Sequence, residues 1–387
     1  MPEHPRLSTF IEAAAASVFS RLRNRAEASG YELAALHLGD TYKDAPEGCR
    51  MQDLLSEEIE GLHRYSPVEG QPALLSALAE RATLRHGRQT TSGDVLVTAG
   101  ATGGLGAAFG AIVDPGDEVI VLTPYWPLIT GILRGLHARA VLVPLLPASD
   151  EGQADAALVS RVEAACTDRT VALYLNTPNN PTGRVLNEGL VLRLTDLARR
   201  RGLWVVADEC YEDYVYAGQH APARHFAPER TFSVHSFSKA FGMAGNRCGY
   251  VVSPPGLTEH LRKVSLHTFY ATPTAAQFAA LRALDGPGDA FVAATAPVYA
   301  EVGRACARLL GIPPPESGTF LFFELSAHLG QRPLIHLLEH LADHGLLLAP
   351  GPSFGPYPSH ARLCFTALPP ERTLAAVGRL TDLLVGG

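Results

Sequence analysis

The sequence predicts an α/β fold, in which a mostly parallel sheet flanked by helices forms a large domain and a smaller α+β domain follows. Three observations carry this reading. Between about residues 94 and 252, short apolar runs of strand length alternate with segments of helix length, which is the order of βαβ units. Polar motifs stand where three of those runs end, as expected for a ligand crevice beyond the carboxyl edge of a parallel sheet. After about residue 285 the alternation stops, and a proline cluster at 313–315 leads into an aromatic run at 320–325.

The elements follow in order. Residues 1 to about 30 are alanine-rich and read as a helix or arm. Residues 95–98 make the first strand of the series, and the small residues of 100–110 open a helix. Strand 118–122 precedes a helix at 126–136, and strands follow at 140–143 and 171–175. A helix spans about 187–201, before strands at 203–207, 231–234 and 249–252. The smaller domain reads as a helix at 297–310, a strand at 320–325, a helix at 333–344, a strand at 362–365 and a last helix. There is no internal repeat and no low-complexity linker. The expected division is 1–44 as N-terminal arm and part of the small domain, 45–285 as the large domain and 286–387 as the small domain.

Composition narrows the function. At 387 residues the chain exceeds the usual size of one core. Its 47% hydrophobic and 18% charged content is that of a globular protein. A net charge of −7 offers no basic excess for nucleic acid or an anionic membrane. No apolar run reaches the roughly 18 residues of a membrane span. The apolar stretch at 13–19 follows acidic residues and precedes Arg21, Arg23 and Arg25, the reverse of a secretion signal. Six cysteines, Cys49, Cys166, Cys210, Cys248, Cys306 and Cys364, lack C-x-x-C spacing. No metal site or disulfide framework is expected from them, and a reduced, cytoplasmic setting fits. Cys210 and Cys248 read as buried, inert thiols.

The chemistry concentrates in a few segments. Lys239 lies in Ser236-Phe237-Ser238-Lys239, with Arg247 downstream. A lysine amine forms a Schiff base with a carbonyl, while an arginine fork and serine hydroxyls satisfy phosphate oxygens. Asp208 ends an apolar run, so its carboxylate is expected to be buried and must be paired. A cofactor's pyridinium nitrogen, a core arginine or a helix cap would each serve. Asn180-Pro181 stands between a strand and a helix; the Asn180 amide can donate to a phenolate oxygen or simply build the turn. Gly100-Ala101-Thr102-Gly103-Gly104 follows a strand and opens a helix, which suits a monophosphate at the helix N-terminus or close helix–sheet packing. A dinucleotide fingerprint fails there, because Phe109 occupies the third glycine position after Gly104 and Gly106. Trp126, at another strand end, can stack on an aromatic ring or fill core. Arg362 sits in a strand-like run, where it either grips a carboxylate or faces solvent from an edge.

Together these residues resemble the class I/II aminotransferases, the fold-type I PLP-dependent enzymes. The resemblance spans about residues 36–362. It is carried by the Asn180-Pro181-Thr182-Gly183 turn, the Asp208-x-x-Tyr211 pair, the Ser236-x-Ser238-Lys239-x(7)-Arg247 segment and the late Arg362. It implies pyridoxal 5′-phosphate, held by Lys239 as a Schiff base, with the freed lysine then shuttling a proton between Cα and C4′. It implies that Asp208 keeps the pyridine nitrogen protonated, that Asn180 and Tyr211 bond the phenolic oxygen, and that Trp126 stacks on the ring. Ala101, Thr102, Ser236, Ser238 and Arg247 would bind the phosphate. Tyr65 would reach the phosphate of a neighbouring subunit, which implies a homodimer with shared sites. Arg362 and Asn180 would bind the substrate α-carboxylate, with Gly39 on its other side.

The implied reaction moves an amino group from an L-amino acid to a 2-oxo acid. The alternatives are β- or γ-elimination or cyclisation on the same scaffold and, remotely, a non-enzymatic ligand sensor. One departure is Gly39-Asp40-Thr41-Tyr42, which lacks the family's proline two residues after the glycine. No second arginine is assignable to a side-chain carboxylate. Residues 349–355 match a substrate-side loop, while 266–273 and Tyr42 are expected to line a side-chain pocket suited to an apolar or aromatic donor.

Overall fold

The computed structural model describes residues 7–8, 18–145 and 151–385. Its strands are β1 (Ala34–Ala35), β2 (Val95–Ala99), β3 (Glu118–Thr123), β4 (Arg139–Pro144), β5 (Thr170–Asn176) and β6 (Trp204–Asp208). They continue with β7 (Thr231–Ser236), β8 (Cys248–Val252), β9 (Phe320–Glu324), β10 (Leu346–Leu347), β11 (Ala349–Pro350) and β12 (His360–Cys364).

Seven strands form one sheet in the order β2-β8-β7-β6-β5-β3-β4. Only β8 runs antiparallel to its neighbours, β2 and β7. The other pairs are parallel. Alternation of side chains sends the strands' residues to two cores. Val119, Val121, Tyr174, Val206 and Val234 pack with Leu105 and Phe109 of helix Gly100–Ile112 on one face. Ile120, Leu173, Leu175, Val205 and Ala207 pack with Leu190, Leu194 and Leu197 of helix Glu188–Arg201 on the other. Burial on both faces explains why these strands read as unbroken apolar runs rather than alternating ones.

The chain passes from β3 outward to β4, then returns to the other side of β3 to lay down β5, β6 and β7. The carboxyl ends of β3 and β5 therefore flank a switch point, where open α/β sheets hold their ligands.

A separate core gathers Leu321, Phe323, Leu338, Leu347, Leu363, Phe365 and Val377 around the antiparallel sheet β11-β12-β9. Residues 34–42 join it: β1 pairs with β10, Leu36 accepts a bond from the Cys364 N–H at 2.7 Å, and Tyr42 donates to Thr366. Of the alanine-rich arm, Val18–Glu27 is helical, while residues 1–6 and 9–17 lie outside the described residues.

Three differences from the sequence reading are instructive. The helix expected at 297–310 runs from Pro287 to Leu310, with Pro287 in its first turn and Pro297 inside. Pro297 removes one backbone donor, yet Tyr299, Val302 and Cys306 continue the same buried face into the small-domain core. Helix Pro72–His86 was not anticipated, although Pro72 at its start and left-handed Gly87 after its end are the usual punctuation. Helices Glu151–Ala165, Thr258–Thr268 and Thr274–Leu284 were likewise not anticipated. No helix among the described residues is long and apolar enough to cross a membrane.

Candidate active site

The carboxyl ends of five strands surround one cleft. From β2 and its helix come Ala101, Thr102 and Leu105; from beyond β3, Trp126. Asn176 and Asn180 follow from β5, and Asp208, Cys210 and Tyr211 from β6. Ser236, Ser238, Lys239, Ala244 and Arg247 complete the wall beyond β7.

Asp208 lies on the floor, 5% exposed. Its Oδ2 accepts from the Tyr174 hydroxyl at 2.8 Å and its Oδ1 from the Cys210 N–H at 3.4 Å. Burial pushes its carboxyl above the ordinary range, against the pull of the Cys210 thiol and of those two bonds. No cation pairs with it among the described residues, so a cationic partner from outside the chain is what this carboxylate lacks. Burial drives the Cys210 thiol well up, leaving it protonated.

Lys239 follows the N-cap Ser236 in the short helix Phe237–Ala240. Its Nζ donates to the Gly39 carbonyl. Removal from water lowers its pKa, against the pull of Cys364 and Asp40 nearby, and no carboxylate lies within ion-pair distance of it among the described residues. That is the state in which a lysine amine becomes a nucleophile.

Helix Gly100–Ile112 starts at one end of the cleft. The N-terminus of helix Gly100–Ile112 carries no side-chain cap, so its first N–H groups are left for an anion. Arg247 stands beside it: a Cβ on Gly100 would lie 2.6 Å from Arg247 Nη2, so only glycine permits this approach. Ser236 accepts from the Ser238 N–H at 3.1 Å, which fixes that turn.

At the other end Arg362 is 7% exposed, on β12 in the middle of its sheet. The solvent-facing edge reading is thereby set aside. Its Nη1 donates to Asn180 Oδ1 at 3.0 Å and its Nη2 to the His37 carbonyl at 2.7 Å. Phe320 and Phe354 lie against the guanidinium, 4.1 and 4.8 Å from ring centre to Cζ. Nε has no partner among the described residues, and no carboxylate neutralises the charge. Because arginine can only donate, Asn180 presents its oxygen to Arg362 and keeps its NH₂ for another acceptor. Tyr211 packs edge-on against Phe320, with no partner for its hydroxyl among the described residues. Burial keeps that phenol protonated and able to donate. Gly39 closes this end; a Cβ there would come 2.7 Å from Phe320 Cζ.

Comparison with known proteins agrees. Residues 38–380 match the family model for aminotransferase class I and II. An aspartate/prephenate aminotransferase of Thermus thermophilus is 33% identical over 363 residues, 92% of each chain. An arginine–pyruvate transaminase of Pseudomonas aeruginosa is 32% identical over 367 residues, 91% of this chain and 90% of that one. A double mutant of Thermus thermophilus aspartate aminotransferase superposes with a TM-score of 0.89 at 30% identity, covering 98% of this chain and 100% of that one.

The chain belongs to the class I and II aminotransferases. These are enzymes of fold type I that use pyridoxal phosphate, and the cleft fits that group. The unpaired carboxylate of Asp208 suits a pyridinium N–H, the uncapped helix and Arg247 suit a phosphate, and the unpaired amine of Lys239 suits an aldehyde.

Some residues singled out in the sequence lie elsewhere: residues 266–273 and Tyr42 do not line this cleft, and Tyr42 packs against the small-domain core, edge-on to Tyr299. Tyr65 is 87% exposed, against Tyr270 at 5.1 Å between ring centres, outside its own chain's cleft. Two positions escaped the sequence reading. Tyr174 looked like core because it stands inside an apolar run, and His37 gave no signal that its carbonyl would hold Arg362. The side-by-side order Asn176 and Asp208 in β5 and β6 is what places Tyr174 beneath the carboxylate.

Proposed function

We propose that this aminotransferase works as a cytoplasmic homodimer, moving the amino group of an L-amino acid to a 2-oxo acid, with the cleft residues in the following roles. When bound, pyridoxal 5′-phosphate supplies an aldehyde that condenses with amines and a ring that withdraws electrons from the substrate Cα. Lys239 Nζ would hold the aldehyde end of that group, and the same nitrogen, in a position already stripped of water, would carry the proton that leaves the substrate Cα. Asp208 holds a proton on the ring nitrogen. Asn180 and Tyr211 donate to the phenolic oxygen, and Trp126 covers a ring face. Ala101, Thr102, Ser236, Ser238 and Arg247 grip the phosphate. Arg362, aided by Asn180, takes the substrate α-carboxylate in the charge vacancy described above, with Gly39 leaving room opposite.

The observation that carries this reading is that Lys239 and the buried Asp208 line one cleft, with the buried Arg362 bonded to Asn180 at its edge, and that none of the three has an ion-pair partner within 4 Å among the described residues. Tyr65, exposed on its own chain, supports a role at a neighbouring copy's phosphate. Six free cysteines support a reducing compartment.

A single-turnover screen tests the reading. The loaded enzyme is mixed with a panel of L-amino acids without acceptor. One 2-oxo acid per site, with the amino group retained on the cofactor, is the expected result. Free ammonia without need of an acceptor would instead mean elimination, and normal turnover by Lys239→Ala would overturn the assignment of roles.

A further inference from the structure

We propose that His86, Glu209 and His235 form a buried site for a divalent first-row transition ion such as zinc, behind the floor of the cleft. Glu209 directly follows Asp208, so the two side chains leave the end of β6 in different directions. Glu209 meets His86, the last residue of helix Pro72–His86, and His235 on β7. The Glu209 Oε2 lies 3.8 Å from His86 Nε2 and 3.7 Å from His235 Nε2. One donor atom from each residue lies within 4.8 Å of the other two.

All three side chains are sealed from water, at 1%, 0% and 2% exposure. Yet Glu209 Oε2, His235 Nε2 and both ring nitrogens of His86 have no hydrogen-bond partner among the described residues. Each such orphan costs about 1–3 kcal/mol, so a group of them at one point calls for an occupant. Bonds of about 2.1 Å in a tetrahedral site put donor atoms about 3.4 Å apart. The two separations from Glu209 need only a few tenths of an ångström of closure, and the two imidazole nitrogens, within 4.8 Å of each other, need at most about 1.4 Å.

The surroundings are arranged as ligands require. Glu212 Oε1 lies 2.8 Å from His235 Nδ1. A carboxylate there holds the proton on Nδ1 and turns the Nε2 lone pair toward Glu209, the usual outer support of a metal-bound imidazole. The Ala223 N–H occupies Glu209 Oε1 at 3.0 Å, leaving Oε2 for the ion. His220 stands 3.6 Å from Oε1 with both ring nitrogens unpartnered, near enough for a further position. Two imidazoles and a carboxylate select zinc, iron, nickel or copper over calcium or magnesium. An ion here would tie helix Pro72–His86 to β6 and β7, the strands that present Asp208 and Lys239. Cysteine spacing gave no hint of it, because the donors are histidines and a glutamate distant in sequence.

The test uses untagged holoenzyme, first treated with borohydride so that free cofactor cannot chelate metal. After dialysis against chelating resin, elemental analysis should find close to one transition ion per chain. Failing that, added zinc should bind at one per chain and raise the Tm. Glu209→Gln should lose that one equivalent while keeping its cofactor absorbance and its exposed histidines, which separates the site from adventitious surface binding. If the variant does not fold, cobalt titration of the wild type should give the intense visible bands of a site with nitrogen donors and low coordination. Metal-free wild type indifferent to zinc and cobalt, or wild-type zinc stoichiometry in Glu209→Gln, would overturn the proposal and leave a shared proton or a trapped water in the cluster.

Discussion

Replacing Tyr174 with phenylalanine removes one hydroxyl and keeps the ring that packs near Phe109. That hydroxyl gives Asp208 a short hydrogen bond, 2.8 Å; the remaining donors are the Cys210 N–H, at 3.4 Å, and the Cys210 thiol. Burial holds the Tyr174 phenol well above its ordinary range, so it stays a donor. It also pushes the Asp208 carboxyl upward, so the ionised form depends on the donors it retains. A hydrogen bond to a charged group contributes about 1.5–3 kcal/mol. Its loss moves the Asp208 carboxyl further up. The same energy, taken from the grip on the ring nitrogen, weakens cofactor binding by about 10- to 100-fold. Cofactor affinity is measured by titrating apoenzyme and following absorbance, while apoenzyme melting records the structural cost separately. A Tyr174→Phe enzyme that melts lower but binds cofactor as tightly as wild type would refute the reasoning and make the hydroxyl purely structural.

Other outcomes follow from the same geometry. Arg362→Lys keeps a positive charge but loses the planar fork, and should raise KM for amino acids by about 100-fold, as steady-state kinetics would show. Gly39→Ala puts a Cβ 2.7 Å from Phe320 Cζ; overpacking should lower stability by about 1–3 kcal/mol in denaturant titrations, with activity falling alongside. Burial and the neighbouring Arg362 push His37 down to about 4. Its folded pKa lies below its unfolded value of about 6.5, so the unfolded chain binds the extra proton between the two. Stability from this residue is therefore intact above about pH 6.5 and lost as pH falls toward 4, by up to about 3 kcal/mol. His37→Gln should flatten that part of the stability profile, and an unchanged slope would count against it.

The sheet was legible because its strands are buried on both faces, which writes them as apolar runs, and because their polar ends face one crevice. Asp208, Asn176 and Ser236 all stood where such a run stopped. What could not be read was whatever depends on the neighbour across the sheet. Tyr174 differs from a core tyrosine only through Asp208 on the adjacent strand. Arg362 is a buried residue rather than an edge residue only because β11 and β9 flank its strand. The glycine segment after β2 carried two open readings, and the structure shows close helix–sheet packing at Gly104. Gly100 permits Arg247 to approach, whereas a Cβ on Gly104 would lie 2.9 Å from Val251 and 3.0 Å from Val234. Proline misled in one place: Pro297 looked like a helix start because an interior proline is costly, and the burial of the surrounding face outweighs that cost.

The central claim is that one amine in this chain holds the cofactor. The sequence contains three lysines, Lys43, Lys239 and Lys263, of which Lys43 and Lys263 are exposed and only Lys239 lines the cleft. Borohydride reduction of the holoenzyme followed by peptide mass mapping therefore gives a clean answer. The account predicts one reduced cofactor per chain, on the peptide containing Lys239. Cofactor fixed to Lys43 or Lys263, or none fixed at all, would contradict it.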